Sequence, residues 1–317
     1  MDIFATFVLP ALVGIGIGIL SGMLGIGGGT VLVPIFRLAF GMSPIMSTAT
    51  SLFTIIPTSI SGAVSHVRHK TCVPSLGIAA GLGGACTSPI GVWLATISPA
   101  WLVMLAAALI IGYSAVNMLR KAIKLPPASR PTEAADAAAS PGTRSRGDAG
   151  GLRTEVRGAP AIPAISGTGE TLADVGGPAA ASPAGADAPT KLTRKQLLIG
   201  AAIGLGAGLA SGYVGVGGGF IMVPLMLSLV GISMKQASGT SLIAVMLLAI
   251  PGTIEQGLLG NIDYLAGIAV AIGSIPGAVI GARLVRLVPE RTLRFIFGGF
   301  LIVAAAVLAL NEMGVLG

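Results

Sequence analysis

The stretch "SGMLGIGGGTVLVP", residues 21–34, lies inside a run that otherwise has the length and apolarity of a membrane helix. Nearly the same sequence returns at 211–224 as "SGYVGVGGGFIMVP". Eight of the fourteen aligned positions are identical, at a constant offset of 190. Consecutive glycines disfavour a helix by about 1 kcal/mol each relative to alanine. A chain that interrupts its own membrane segment twice, in the same way, uses the interruption.

The offset holds well beyond the glycines. Gly14, Gly16 and Gly18 match Gly204, Gly206 and Gly208, and Gly41 and Ser43 match Gly231 and Ser233. Thr50-Ser51-Leu52 matches Thr240-Ser241-Leu242, and Gly62, Gly77, Gly91 and Pro99 match Gly252, Gly267, Gly281 and Pro289. Small residues in register over so long a span mark an internal duplication.

Composition sets the class. The 317 residues are 53% hydrophobic and 10% charged, with a mean hydropathy of +0.91. Runs long enough to cross about 30 Å of hydrocarbon recur at both ends of the chain. The first, "IFATFVLPALVGIGIGILSG", reads as a retained membrane segment: no base precedes it and its apolar core exceeds that of a cleaved signal. The net charge of +7 points to membrane orientation rather than nucleic acid, because the bases flank apolar runs. Cys72 and Cys86 lack metal-ligand spacing and read as packing residues. The sequence calls for no cofactor and no metal.

Residues 125–190 differ in kind. They are rich in Ala, Pro, Gly, Ser and Thr, hold seven of the twelve acidic residues, and contain no aromatic side chain. Such a segment buries too little apolar surface to offset its ordering entropy, so it reads as a disordered cytoplasmic linker. The domains expected are an N-terminal membrane repeat (1–124), this linker, and a C-terminal membrane repeat (191–317).

Each repeat offers five apolar segments: 4–24, 30–40, 45–65, 73–96 and 101–120, then 196–214, 220–231, 237–258, 263–283 and 294–311. An odd number inserts the second copy upside down. With the N-terminus outside, "HVRHK" (66–70), "RKAIK" (120–124), the linker, "KLTRK" (191–195), Lys235 and "RLVRLVPER" (283–291) all lie inside. Only Arg37 of the nineteen Lys and Arg residues falls elsewhere. The fold expected is an all-α polytopic membrane protein of two inverted five-segment repeats with glycine-broken helical hairpins.

The limb after the first triplet, 30–40, rises roughly 17 Å, about half the hydrocarbon core. The break therefore belongs near the midplane, where non-helical backbone is tolerated only within protein or beside a water-filled cavity. The limb's helix N-terminus points at the membrane centre. Unpaired N–H groups and the positive dipole end make an anion site there without a charged side chain. Glycine lets the ligand approach the bare backbone. Close helix packing is the competing use of glycine, and it accounts for Gly14, Gly16 and Gly18.

The doubled "GxxGxGGGxxxVP" element, each copy followed by "[AG]TSL", resembles the TauE/SafE (TSUP) family of sulfite exporters across the chain except the linker. The resemblance implies transport of a small sulfur-containing anion (sulfite, thiosulfate or an organosulfonate) across the cell membrane. It implies a binding role for Gly25, Gly27, Gly28, Gly29, Thr50 and Ser51 and for Gly215, Gly217, Gly218, Gly219, Thr240 and Ser241. Pro34 and Pro224 belong to the same motif. It leaves open which anion moves, the coupling ion and the oligomeric state.

Positions that break the repeat's symmetry stand apart. Arg37 aligns with Leu227, His66 with Gln256 and Glu255 with Ser65. Arg37 and Glu255 read either as interfacial residues or as an outer vestibule that attracts and releases the anion. His66 and His69 read as surface residues of a cytoplasmic turn. An intramembrane enzyme using Ser21 or Ser211 is disfavoured, because neither histidine reads as lying in an apolar segment to act as base. Proton- or sodium-coupled uptake is the alternative to export.

Overall fold

The computed structural model describes residues 7–123 and 193–312. The expected 125–190 linker lies outside them. Ten α-helices make up the described residues. The first half contains α1 (Leu9–Leu24), α2 (Gly29–Leu38), α3 (Pro44–Arg68), α4 (Pro74–Ile97) and α5 (Ala100–Ile123). The second contains α6 (Arg194–Val214), α7 (Gly219–Leu225), α8 (Met234–Leu258), α9 (Tyr264–Leu284) and α10 (Glu290–Glu312). A π-helical turn, Met226–Val230, continues α7. The all-α polytopic architecture read from the sequence is the one observed. Five helices (α4, α5, α6, α8 and α9) are each long and apolar enough to cross a membrane.

Local chemistry explains where these helices begin. Ser43 and Ser233 cap α3 and α8, each accepting from a backbone N–H three residues on at 3.3 Å. Gln236 reaches back to the Ser233 N–H and closes a capping box. Asp263 caps α9 through the Ala266 N–H at 3.0 Å. Proline occupies the first position of α3 and of α4, where its missing N–H costs nothing.

Packing then follows the 190-residue offset with the halves exchanged. A Cβ placed at Gly14 would lie 2.2 Å from the Val270 carbonyl oxygen, and one at Gly204 would lie 1.9 Å from the Ala80 carbonyl oxygen. Gly18 and Gly22 meet Ser274 and Ala278, as Gly208 and Gly212 meet Gly84 and Ser88. Gly281 rests on Ile19 as Gly91 rests on Leu209. In this reciprocal pattern residue i touches the mate of j wherever j touches the mate of i, so the halves contact each other through equivalent positions. The stripes of glycine four residues apart let the backbones of α1 and α9, and of α4 and α6, approach closely. Gly16 and its mate Gly206 depart from the packing expectation, since a Cβ at either meets nothing within 4 Å.

The centre of the molecule belongs to α3 and α8. Helix α3 carries eight buried hydroxyl residues, which make it less apolar than its neighbours. Several bond back along their own helix, as Thr54 does to the Thr50 carbonyl (2.9 Å) and Thr58 to the Thr54 carbonyl (2.8 Å). The halves differ after their short helices. In α7 the Pro224 carbonyl accepts from Ser228 Oγ at 2.5 Å and from Lys121 Nζ at 3.4 Å, and Lys121 also bonds Ser228 Oγ. Side chains thus compete for the helical acceptor and the turn widens to π. The first half has Leu38 where the second has Ser228, and α2 stays α-helical.

Candidate functional site: the paired glycine breaks

Helix α1 ends at Gly25, whose φ of 76° is left-handed, and Gly27 and Gly28 follow at 76° and 89°. Gly215, Gly217 and Gly218 repeat the pattern at 73°, 85° and 64°. Three left-handed residues within four positions can be met only by glycine at low cost. The chain leaves one helix, turns, and starts another, and residues 21–30 are all buried.

The two breaks touch. A Cβ on Gly29 would lie 2.2 Å from the Val216 carbonyl oxygen, and one on Gly219 would lie 2.5 Å from the Gly25 carbonyl oxygen. Gly27 and Gly217 both pack on Ile55 and Val245, residues near the middles of α3 and α8. Here the sequence-predicted residues come together, with a division of labour. Ser51 Oγ donates to the Gly215 carbonyl (3.1 Å), and Ser241 Oγ donates to the Gly25 carbonyl (2.7 Å). Thr50 Oγ1 accepts from the Asp263 N–H (3.0 Å), and Thr240 Oγ1 accepts from the Val73 N–H (2.9 Å). These four hydroxyls tie each break, and the helix starts beside it, to the opposite half.

The donors left at the breaks are backbone groups and other hydroxyls. Val31 and Leu32 donate to the Gly28 carbonyl at 3.1 and 3.0 Å. Among the described residues, no protein group accepts from the N–H of Gly29 or Thr30. These are first-turn N–H groups that a helix cannot satisfy itself. Buried hydroxyls without a hydrogen-bond partner surround them: Ser21, Thr30 and Ser59 in the first half, and Ser211 in the second. Sequence reading passed over Ser59 and Thr30. Their signal is a mismatch in the repeat alignment, Ala249 and Phe220 standing at the equivalent positions.

Arg37 sits half-buried in the last turn of α2, where a cation suits the negative dipole end. Glu255 is half-buried one turn before the end of α8, its Oε2 buried without a hydrogen-bond partner. The two occupy separate helices. A cavity of about 240 Å³ runs between α2 and α10, lined by Thr30, Pro34, Phe300, Val303 and Val307.

His66 corrects the sequence reading. It lies in the last turn of α3, fully buried, and not in a surface turn. Its Nε2 is 2.9 Å from the Gly22 carbonyl, an acceptor only, so Nε2 carries a proton and donates. Its Nδ1 is 2.8 Å from Thr71 Oγ1. Gln256 and Asn261 hold the same places in the second half, with Asn261 Nδ2 donating to Gln256 Oε1 at 2.7 Å. Both imidazole nitrogens are thus engaged away from the Ser21 hydroxyl, and no Ser–His pair forms here.

The arrangement offers neutral donors around a bare backbone at a buried centre. A set of this kind is chemically suited to an anion, through hydrogen bonds and dipoles.

The family model described as "Sulfite exporter TauE/SafE" matches residues 10–308. The chain is 24% identical over 297 residues to the "Probable membrane transporter protein YunE" of Bacillus subtilis (strain 168), covering 91% of this chain and 92% of that protein. It is 25% identical over 279 residues to the "Probable membrane transporter protein YdhB" of the same organism, covering 88% and 90%. A shorter match, 37% identical over 105 residues, joins 31% of this chain to 17% of the "Probable membrane transporter protein MamO" of Magnetospirillum gryphiswaldense. No solved structure matches the chain. A match over nearly the whole chain, on a fold of membrane-length helices, makes this multi-pass membrane protein a member of the sulfite exporter TauE/SafE family.

Proposed function

We propose that this membrane transporter exports a small sulfur oxyanion (sulfite, thiosulfate or an organosulfonate) and binds it where the two glycine breaks meet. The observation that carries the reading is the buried first turn of α2, whose free N–H donors face a backbone stripped of side chains. An S–O anion presents several acceptor oxygens to such donors, and the helix dipole adds to the attraction. The reciprocal contacts between halves support inverted repeats, with the two-fold axis in the membrane plane. Because the breaks are buried, loading the site requires the halves to part on one side at a time. Arg37, at the far end of α2, then belongs to the outer vestibule, with Glu255 as its acidic counterpart.

Direction follows from charge. One charge crossing the membrane is worth about 2.3 kcal/mol per 100 mV. A divalent anion leaving a cell that is negative inside gains about 4.6 kcal/mol, more than a thousandfold in concentration ratio. Export needs no coupling ion. Asp263 is engaged as the cap of α9, so Glu255 is the carboxylate left to carry a proton within the described membrane helices. Its partnerless Oε2 favours the second reading, proton-coupled uptake.

Proteoliposomes separate the two. Export predicts saturable sulfite flux driven by membrane potential and insensitive to proton and sodium gradients. Glu255→Gln should then leave the rate within about twofold, since no proton-coupling step is removed. Flux that requires an inward proton gradient and is lost in Glu255→Gln would establish coupled uptake instead. Absence of flux for sulfite, thiosulfate and organosulfonates alike would end the sulfur-anion reading.

A further inference from the structure

Resting on the transport reading above, we infer that the oxyanion site belongs to the N-terminal break alone, with the hydroxyls of Ser21 and Ser59 and the first-turn N–H groups of α2 as its donors. The doubled motif suggests an evenly shared site. The surroundings of the two breaks do not.

Ser59 Oγ lies 3.3 Å from the point where a Cβ on Gly27 would sit, so the hydroxyl is directed at the bare backbone of the break. It is 0% exposed and has no hydrogen-bond partner. Ser21, 1% exposed and equally partnerless, flanks the next residue, its Cβ 3.7 Å from the Cβ position of Gly28. A buried hydroxyl without a partner destabilises the fold, and two beside one break are completed by a ligand that brings acceptors. Thr30, also partnerless, lines the cavity against α10 and is not part of this set.

The second break has fewer of these features. Ala249 replaces Ser59, leaving Ser211 as the hydroxyl beside Gly218. The Gly219 N–H is already spent on the Gly217 carbonyl at 2.7 Å, whereas the Gly29 N–H has no acceptor among the described residues. The space over each middle glycine also differs. A Cβ at Gly28 meets first an Ile17 methyl at 3.1 Å, then Leu32 and Ser21. One at Gly218 meets first the Ala207 carbonyl oxygen at 3.0 Å, then Leu248 and Ser211 at 3.4 Å. The Ala207 carbonyl oxygen over Gly218 repels an oxyanion there, and over Gly28 the corresponding first neighbour is apolar. The ligand class is a compact oxyanion held by neutral donors, while the second break serves as its packing partner.

The test uses the full chain purified in detergent, with sodium sulfite and sodium sulfate as probes, read by calorimetric titration and thermal melting. Ser59→Ala, the residue the second half already carries, and Ser21→Ala should melt without anion at the wild-type temperature or above it. Each should bind sulfite about ten- to hundredfold more weakly, the effect of one hydrogen bond to a charged group. Ser59→Thr, which keeps the hydroxyl, should recover binding to within about threefold, and Ser211→Ala should change it by less than about twofold. Ser211→Ala weakening sulfite binding as much as Ser21→Ala would overturn the inference in favour of a shared site and leave the transport reading standing. Wild-type affinity in Ser59→Ala would overturn it as well. A wild-type protein that binds neither anion would bring down both the inference and the transport reading.

Discussion

The N-terminal and C-terminal breaks share eight of fourteen residues, three left-handed glycines and the same neighbours on α3 and α8. Yet, among the described residues, the first is lined by the partnerless hydroxyls of Ser21 and Ser59, and the second by that of Ser211 alone, with an alanine where the first has Ser59 and a phenylalanine where it has Thr30. What the halves have in common is geometry: glycines where backbones touch, and Ser51, Ser241, Thr50 and Thr240 bonding across to the opposite half. What they do not share is donor chemistry. A duplicated frame conserves its contacts because each is made twice, and one copy of a position can change its side chain while the contact between halves survives.

The largest effect should come from the shared frame and be equal in both halves. Gly29→Val and Gly219→Val each push a side chain into the backbone of the other break, at 2.2 and 2.5 Å. Each should destabilise the fold by about 3 kcal/mol or more. Thermal melting and gel filtration in detergent would show loss of monodisperse protein in both. Tolerance of one but not the other would break the two-fold comparison at its centre.

A middle-sized effect separates frame from side-chain identity at position 66. His66→Gln installs the residue found at the equivalent position 256, where an amide serves. It should cost less than about 1 kcal/mol. His66→Leu strands the Gly22 carbonyl and Thr71, both now bonded to the imidazole, and should cost about 1–3 kcal/mol. Melting temperatures of the two variants test this, and equal losses would show that the amide cannot replace the ring.

The smallest effect sharpens the packing half of the comparison. Gly16→Ala and Gly206→Ala enter open space on symmetry-related helices, so each should shift stability by less than about 1 kcal/mol, in the stabilising direction. Gly18→Ala, two residues on, meets the Ser274 carbonyl oxygen at 2.3 Å and should be clearly destabilising in the same melt.

Much was legible before any coordinates. Hydropathy and length found the helices, because a segment crossing hydrocarbon must satisfy its own backbone and carry apolar side chains. The 190-residue offset found the repeat, and the GxGGG elements found the breaks, because left-handed backbone and close approach both demand glycine. From sequence His66 reads as a surface residue because its neighbours Arg68, His69 and Lys70 are polar and the apolar run stops at 65, whereas α3 runs on to Arg68. A buried imidazole is acceptable only where carbonyl and hydroxyl partners stand at the right distance, and Gly22 lies forty-four positions away along the chain.

Sequence alone thus determined which segments are helical, that they come twice, and where each copy breaks. All of these rest on properties carried by single residues or short runs. Tertiary structure alone decided what each hydroxyl does. Ser51, Ser59 and Ser21 are chemically the same, but Ser51 faces a carbonyl of the opposite break and gives its proton there, while Ser59 and Ser21 face bare glycine backbone with no acceptor in reach. A hydroxyl takes its role from the groups that surround it, and in this protein those groups come from helices distant in sequence and from both halves.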